Sequence, residues 1–181
     1  MLRRSLDALY LLSGYLAGAF LILIFVLMMA LSIGREIGIN VPSGDDFASW
    51  CMAAMAFLGL AYTFKNGDMI RVGLLIDKIG GTKKRALEIA CLVVGVGFVG
   101  YFSWYAVVMT IDSWRFDDMS QGVVAIPLWL PQIGYSGGLD ILLIALVDEL
   151  VHVLSGGEPR YEKPPPASDE EVIERAMQSG V

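Results

Sequence analysis

Charge is scarce in this chain, and it is missing over long stretches. Only 18% of the 181 residues are charged and 56% are hydrophobic, whereas soluble domains carry about 25% charged residues. Histidine occurs once and cysteine twice, with no Cys-x-x-Cys pair. That excludes the ligand clusters of common zinc sites. No Walker sequence occurs, which excludes an ATPase of that kind. No nucleophile can be paired with a base. The expectation is no catalytic residue, no metal and no cofactor. The net charge of −6 also leaves no basic face of the kind that binds nucleic acid.

What the chain does have is apolar runs. Residues 8–34, 47–64 and 89–111 contain no charge, and 119–147 contains only Asp140. Runs of 18 residues or more indicate membrane-crossing helices. Open strands cannot cross lipid, because their backbone groups would go unpaired. The runs also lack the alternation of a membrane barrel. The expected fold is an all-α integral membrane protein with four transmembrane helices, at about 8–34, 47–64, 87–111 and 126–154. These form one domain, 1–155, followed by a cytoplasmic, acidic, proline-containing tail, 156–181. The first run is too long for the core of a secretory signal and is read as a retained span.

Lysine and arginine set the orientation. Arg3, Arg4, Lys65, Arg71, Lys78, Lys83, Lys84, Arg85, Arg160, Lys163 and Arg175 fall on one side of the spans. Arg35 and Arg115 fall on the other. Both termini are therefore expected in the cytoplasm. Between spans two and three, Val72, Leu75, Ile76 and Ile79 recur at helical spacing while Arg71 and Lys78 share another side. That pattern predicts a cytoplasmic interfacial helix over about 69–80. Lys83, Lys84 and Arg85 follow, placed with Arg71 and Lys78 to meet anionic lipid.

Polar features inside the spans are few. Ser43 followed by Asp46 predicts a capping box at the start of span two, and Asp45 and Asp46 suit the positive end of that helix. The same acids could dock a partner. Gly14 with Gly18, and Gly134 with Gly138, form G-x-x-x-G pairs that allow close helix packing. Pro127 and Pro131 predict a bent or re-entrant approach to span four. Asp140 is a candidate intramembrane polar contact or functional acid. Cys51 and Cys91 read as small apolar residues within spans.

The segment "DDFASWCMAAMAFLGLAYTFKNGDMIRVGLLIDKI" resembles the small permease subunit, the DctQ type, of tripartite ATP-independent periplasmic (TRAP) transporters. The resemblance rests on Asp45 and Asp46, then Phe57, Leu58 and Gly59, then Lys65, Gly67, Asp68, Ile70 and Val72. Arg35, Pro127 and Trp129 add to it. Met69 and Gly73 depart from the family pattern, which usually has histidine and often an acid there. The resemblance implies a non-enzymatic subunit in the bacterial inner membrane. Its implied partners are a large permease subunit, which it scaffolds, and a periplasmic substrate-binding protein. Together they would take up an organic acid or similar solute, driven by sodium. Two alternatives remain open on the residues alone. One is a small channel or transporter built by self-assembly. The other is the small subunit of a tricarboxylate-type tripartite importer.

Overall fold

The computed structural model of the chain describes residues 2–39, 42–67 and 82–157. Four helices form within them: α1 (Leu2–Glu36), α2 (Gly44–Lys65), α3 (Thr82–Arg115) and α4 (Trp129–Leu154). α1, α2 and α3 each extend past their charge-free runs at both ends, whereas α4 begins after the expected boundary. The expected interfacial helix over about 69–80, which contains Ile70, Arg71, Val72 and Lys78, lies outside the described residues, as do Asp68 before it and nearly all of the tail.

Three of the four helices are long and apolar enough to cross a membrane, over Arg3–Glu36, Gly44–Lys65 and Lys84–Arg115. The fourth carries Gln132, Ser136, Asp140, Asp148 and Glu149 along its 26 residues. It is the helix most enclosed by its neighbours.

Helix ends follow local chemistry. At the end of α1 the Ile39 N–H donates to Gly34 O at 2.8 Å and the Gly38 N–H to Arg35 O at 3.3 Å. Gly38 has φ 78°. This pair of bonds around a left-handed residue is a Schellman ending. The end of α4 repeats it, with Gly157 bonded to His152 O, Gly156 bonded to Val153 O, and Gly156 at φ 97°. Asp117, at φ 52°, takes the left-handed place after α3.

The helices stand side by side in the order α1, α2, α4, α3. Adjacent pairs pack closely, while α1 and α4 touch only slightly. One cluster of buried residues joins Tyr10, Ala61, Phe64, Leu92, Leu142, Ala145, Leu146 and Val153 across all four helices at the end where α1 begins. A second, smaller one joins Ala17, Ala54 and Leu58. The buried residues concentrate on α2 and α4, in the middle of the row. By contrast, the most apolar stretches of α1 and α3 are only 6% and 11% buried.

The α2–α4 contact depends on glycine. Both helices run the same way. A Cβ on Gly134 would lie 2.6 Å from the Ala54 Cβ, and one on Gly138 would lie 2.5 Å from the Phe57 backbone carbon. The G-x-x-x-G pair in span four is thus an internal packing surface. That in span one is divided. Gly14 faces the Tyr62 ring, whereas Gly18 has nothing within 4 Å.

The proline-containing approach to α4 takes the form of a hairpin. Met119 and Pro127 make an antiparallel bridge. The Ser120 N–H donates to Ile126 O at 2.8 Å and the Leu128 N–H to Asp118 O at 2.9 Å. Pro127 precedes the helix. Pro131 sits in its first turn, where a missing N–H leaves no helical bond unmade.

Candidate functional site

Polar side chains gather at three levels along the row. At the end where α1 begins, Lys65 of α2 forms an ion pair with Asp7 of α1. The Lys65 ammonium also stands 5.0 Å from the centre of the Tyr10 ring, in cation–π range. The Arg85 guanidinium donates to Val153 O at 2.9 Å, joining α3 to the last turn of α4. Lys84 lies 4.0 Å from Glu88, one turn on. Glu88 and Glu149 are buried here. Two of the residues expected at anionic lipid, Lys84 and Arg85, therefore have contacts within the chain.

At mid-height the Ser103 hydroxyl of α3 donates to the Asp140 carboxylate of α4. Ser103 is buried. Asp140 thus faces a polar group of another helix. The sequence signal for its partner was slight, because serine is common in membrane helices and bonds equally well to its own helix backbone.

At the far end the hairpin folds over the start of α2. The Val124 N–H donates to the Ser43 hydroxyl at 3.0 Å. A Cβ on Gly122 would lie 2.5 Å from the Asp46 carboxylate and 2.8 Å from the Ser43 Oγ. Here the structure corrects the expected capping box. Ser43 does precede the helix, but at φ 58° its side chain makes no cap hydrogen bond. A contact 81 residues away takes the hydroxyl instead. Asp45 and Asp46 remain in the first turn, where the helix dipole favours them. Ser43→Ala is thus expected to act on the hairpin. Amide exchange at Val124 should speed up severalfold, matching the loss of about 1 kcal/mol, while the first turn of α2 keeps its protection. Hydrogen exchange read residue by residue checks this.

The other expected site residues divide by surroundings. Phe57 packs edge-on against Tyr135, with ring centres 4.7 Å apart. A Cβ on Gly59 would meet the Ala17 Cβ at an ordinary 3.7 Å. Gly67 adopts φ 68° just after α2. Pro127 and Trp129 are half-buried at the foot of the hairpin, and Arg35 is exposed at the end of α1. Among the described motif residues, Phe57, Gly59 and Lys65 therefore join helix to helix inside the chain, while Arg35 and Asp45 face outward. An apolar groove of about 280 Å³ opens between the first half of α2 and the start of α4, lined by Phe20, Trp50, Leu130 and Pro131 among others. Both cysteines are free thiols. Among the described residues, no group of three or more His, Cys, Asp or Glu side chains could hold a metal ion.

Residues 3–156 match the family described as the DctQ component of tripartite ATP-independent periplasmic transporters. The chain belongs to the DctQ family. The match spans all four helices and both clusters of buried residues. A DctQ component is a transporter subunit, which accords with a site made of packing contacts and paired charges. No curated protein matches the chain.

Proposed function

We propose that this DctQ chain is a scaffold subunit of a TRAP transporter. It stands in the bacterial inner membrane with both termini in the cytoplasm and with α4 as a fourth span. It holds a large permease subunit in place for sodium-driven uptake of an organic acid or similar solute delivered by a periplasmic binding protein. The carrying observation is the single row of helices, which leaves two broad apolar faces uncovered among the described residues. In lipid such faces gain little from pairing by hydrophobicity alone, so shape and polar contacts select the partner. Asp45, exposed at the end opposite the start of α1, and Asp46, beneath the hairpin, are read as a docking edge for the binding protein. Arg71, Lys78, Lys83, Lys84 and Arg85 are read as the edge that meets anionic lipid. The contacts of Asp140 with Ser103 and of Gly138 with α2 account for two features that would otherwise suggest a self-assembling channel.

Co-expression tests the reading. An affinity-tagged chain should retain the large permease subunit through purification, and uptake should require all three proteins. Solute flux from the purified chain alone would overturn it. Replacing both Asp45 and Asp46 with asparagine should lower uptake severalfold while assembly survives. Unchanged uptake would leave the two acids as helix-start charges only.

A further inference from the structure

The outer face of α3 carries an aromatic stack at the wrong depth for lipid. Phe98, Tyr101, Phe102 and Tyr105 recur at i, i+3, i+4 and i+7, and all four are exposed, Tyr101 by 62% and Tyr105 by 56%. Their rings are in contact, with Phe98–Phe102 and Tyr101–Tyr105 centres each 4.7 Å apart and Tyr101–Phe102 centres 5.9 Å apart. The uncharged run of α3, 89–111, has residue 100 at its middle. At 1.5 Å per residue, Tyr101 lies about 1.5 Å from the centre and Tyr105 about 7.5 Å. Helical side chains lean toward the helix N-terminus, so the Tyr105 hydroxyl is drawn back toward the centre. The half-thickness of the hydrocarbon is about 15 Å, and neither hydroxyl reaches its edge.

Among the described residues neither hydroxyl has a hydrogen-bond partner. Ser103, the polar residue between them, faces about 160° away at 100° per residue and is already paired with Asp140. Lipid tails offer no partner either, and an unpaired hydroxyl in hydrocarbon is costly. Tyr15 on α1 makes a useful contrast. It is 70% exposed, but it lies six residues from the middle of its run, on the N-terminal side. Its side chain therefore leans toward the near interface, where tyrosine is well placed.

We infer that the Phe98–Tyr101–Phe102–Tyr105 face of α3 is covered by a transmembrane helix of the large permease subunit, which supplies hydrogen-bonding groups to the two tyrosines at mid-membrane. This rests on the scaffold reading above and assigns it a helix and a face. A hydrogen-bonding occupant must be protein at this depth, and the ordered rings present it with a rigid apolar ridge.

The test uses the full chain co-expressed with the large subunit. Phe98→p-benzoylphenylalanine keeps both hydroxyls and puts a photo-cross-linker on the same face. Irradiated membranes should yield an adduct with the large subunit. An adduct with a second copy of this chain, or with lipid alone while the complex still co-purifies, overturns the face assignment and leaves the scaffold reading standing. Failure of the unmodified chain to co-purify overturns both. Separately, Tyr101→Phe and Tyr105→Phe should each lower the large subunit's apparent affinity about threefold, the size of an average hydrogen bond between membrane helices. Helical content should not change. Unchanged affinity in the double variant overturns the pairing of the hydroxyls.

Discussion

Gly138→Ala is expected to push apart the two middle helices of this protein's row. The added Cβ would lie 2.5 Å from the Phe57 carbonyl carbon and 2.7 Å from the Leu58 amide nitrogen. Both are backbone atoms, so no side-chain rotation relieves the clash. The α2 and α4 axes must move apart, which also loosens Ala54 against Gly134. Overpacking of this kind costs about 1–3 kcal/mol, sometimes more. Thermal unfolding in detergent should show a clear drop in midpoint, and retention of the large subunit should fall with it. Gly97→Ala is the matched control. A Cβ there would have nothing within 4 Å, and the residue is exposed on α3. In thermal unfolding of the chain alone, the same methyl at that position should be neutral or slightly stabilising, because alanine is the better helix former by about 1 kcal/mol. Equal effects at the two sites would show that the α2–α4 contact is looser than described.

The second large effect is expected at Ser103 and Asp140. Removing one partner of a buried hydrogen bond costs more than the bond contributes, because the other is left desolvated and unpaired. Ser103→Ala should therefore destabilise α3 on α4 by about 1–3 kcal/mol. Replacing both partners, as in Ser103→Ala with Asp140→Leu, should recover part of that loss. The double-mutant cycle measured by unfolding in detergent should give a coupling energy above about 0.5 kcal/mol. Additive losses would mean that the two side chains do not depend on each other, and Asp140 would then need another partner.

Much of the helical content could be read directly from the sequence, because a charge-free run fixes an element whatever it packs against. The order of the helices could not. Nothing in the apolar runs distinguishes α1, α2, α4, α3 from a square bundle, since lipid and protein interiors favour the same residues. The glycines were visible, but their partners were not. Gly14 and Gly134 look alike in sequence, yet one meets a tyrosine ring and the other a neighbouring alanine. Asp140 was conspicuous as a lone acid, whereas Ser103 was hidden among ordinary small residues of α3. Ser43 failed as a cap for a related reason. Local spacing favoured the capping box, but a hairpin folded from residues far along the chain offered its hydroxyl a better donor. Lys65 stood out as a motif residue, and its role in tying α2 to Asp7 and Tyr10 of α1 needed the structure.

The row also sets a timetable for the newly made chain. α1 and α2 are neighbours in sequence and in space, so they can close as a hairpin as soon as both have entered the bilayer. α3 is made third but packs on α4, and among the described residues no other helix packs against it to a comparable degree. Until α4 follows it out of the ribosome, α3 lacks its main packing partner among the described residues, and Asp140 is not yet there to take the Ser103 hydroxyl. A chain cut short in the hairpin should therefore leave α3 as an orphan segment, open to membrane proteases, while the α1–α2 hairpin persists.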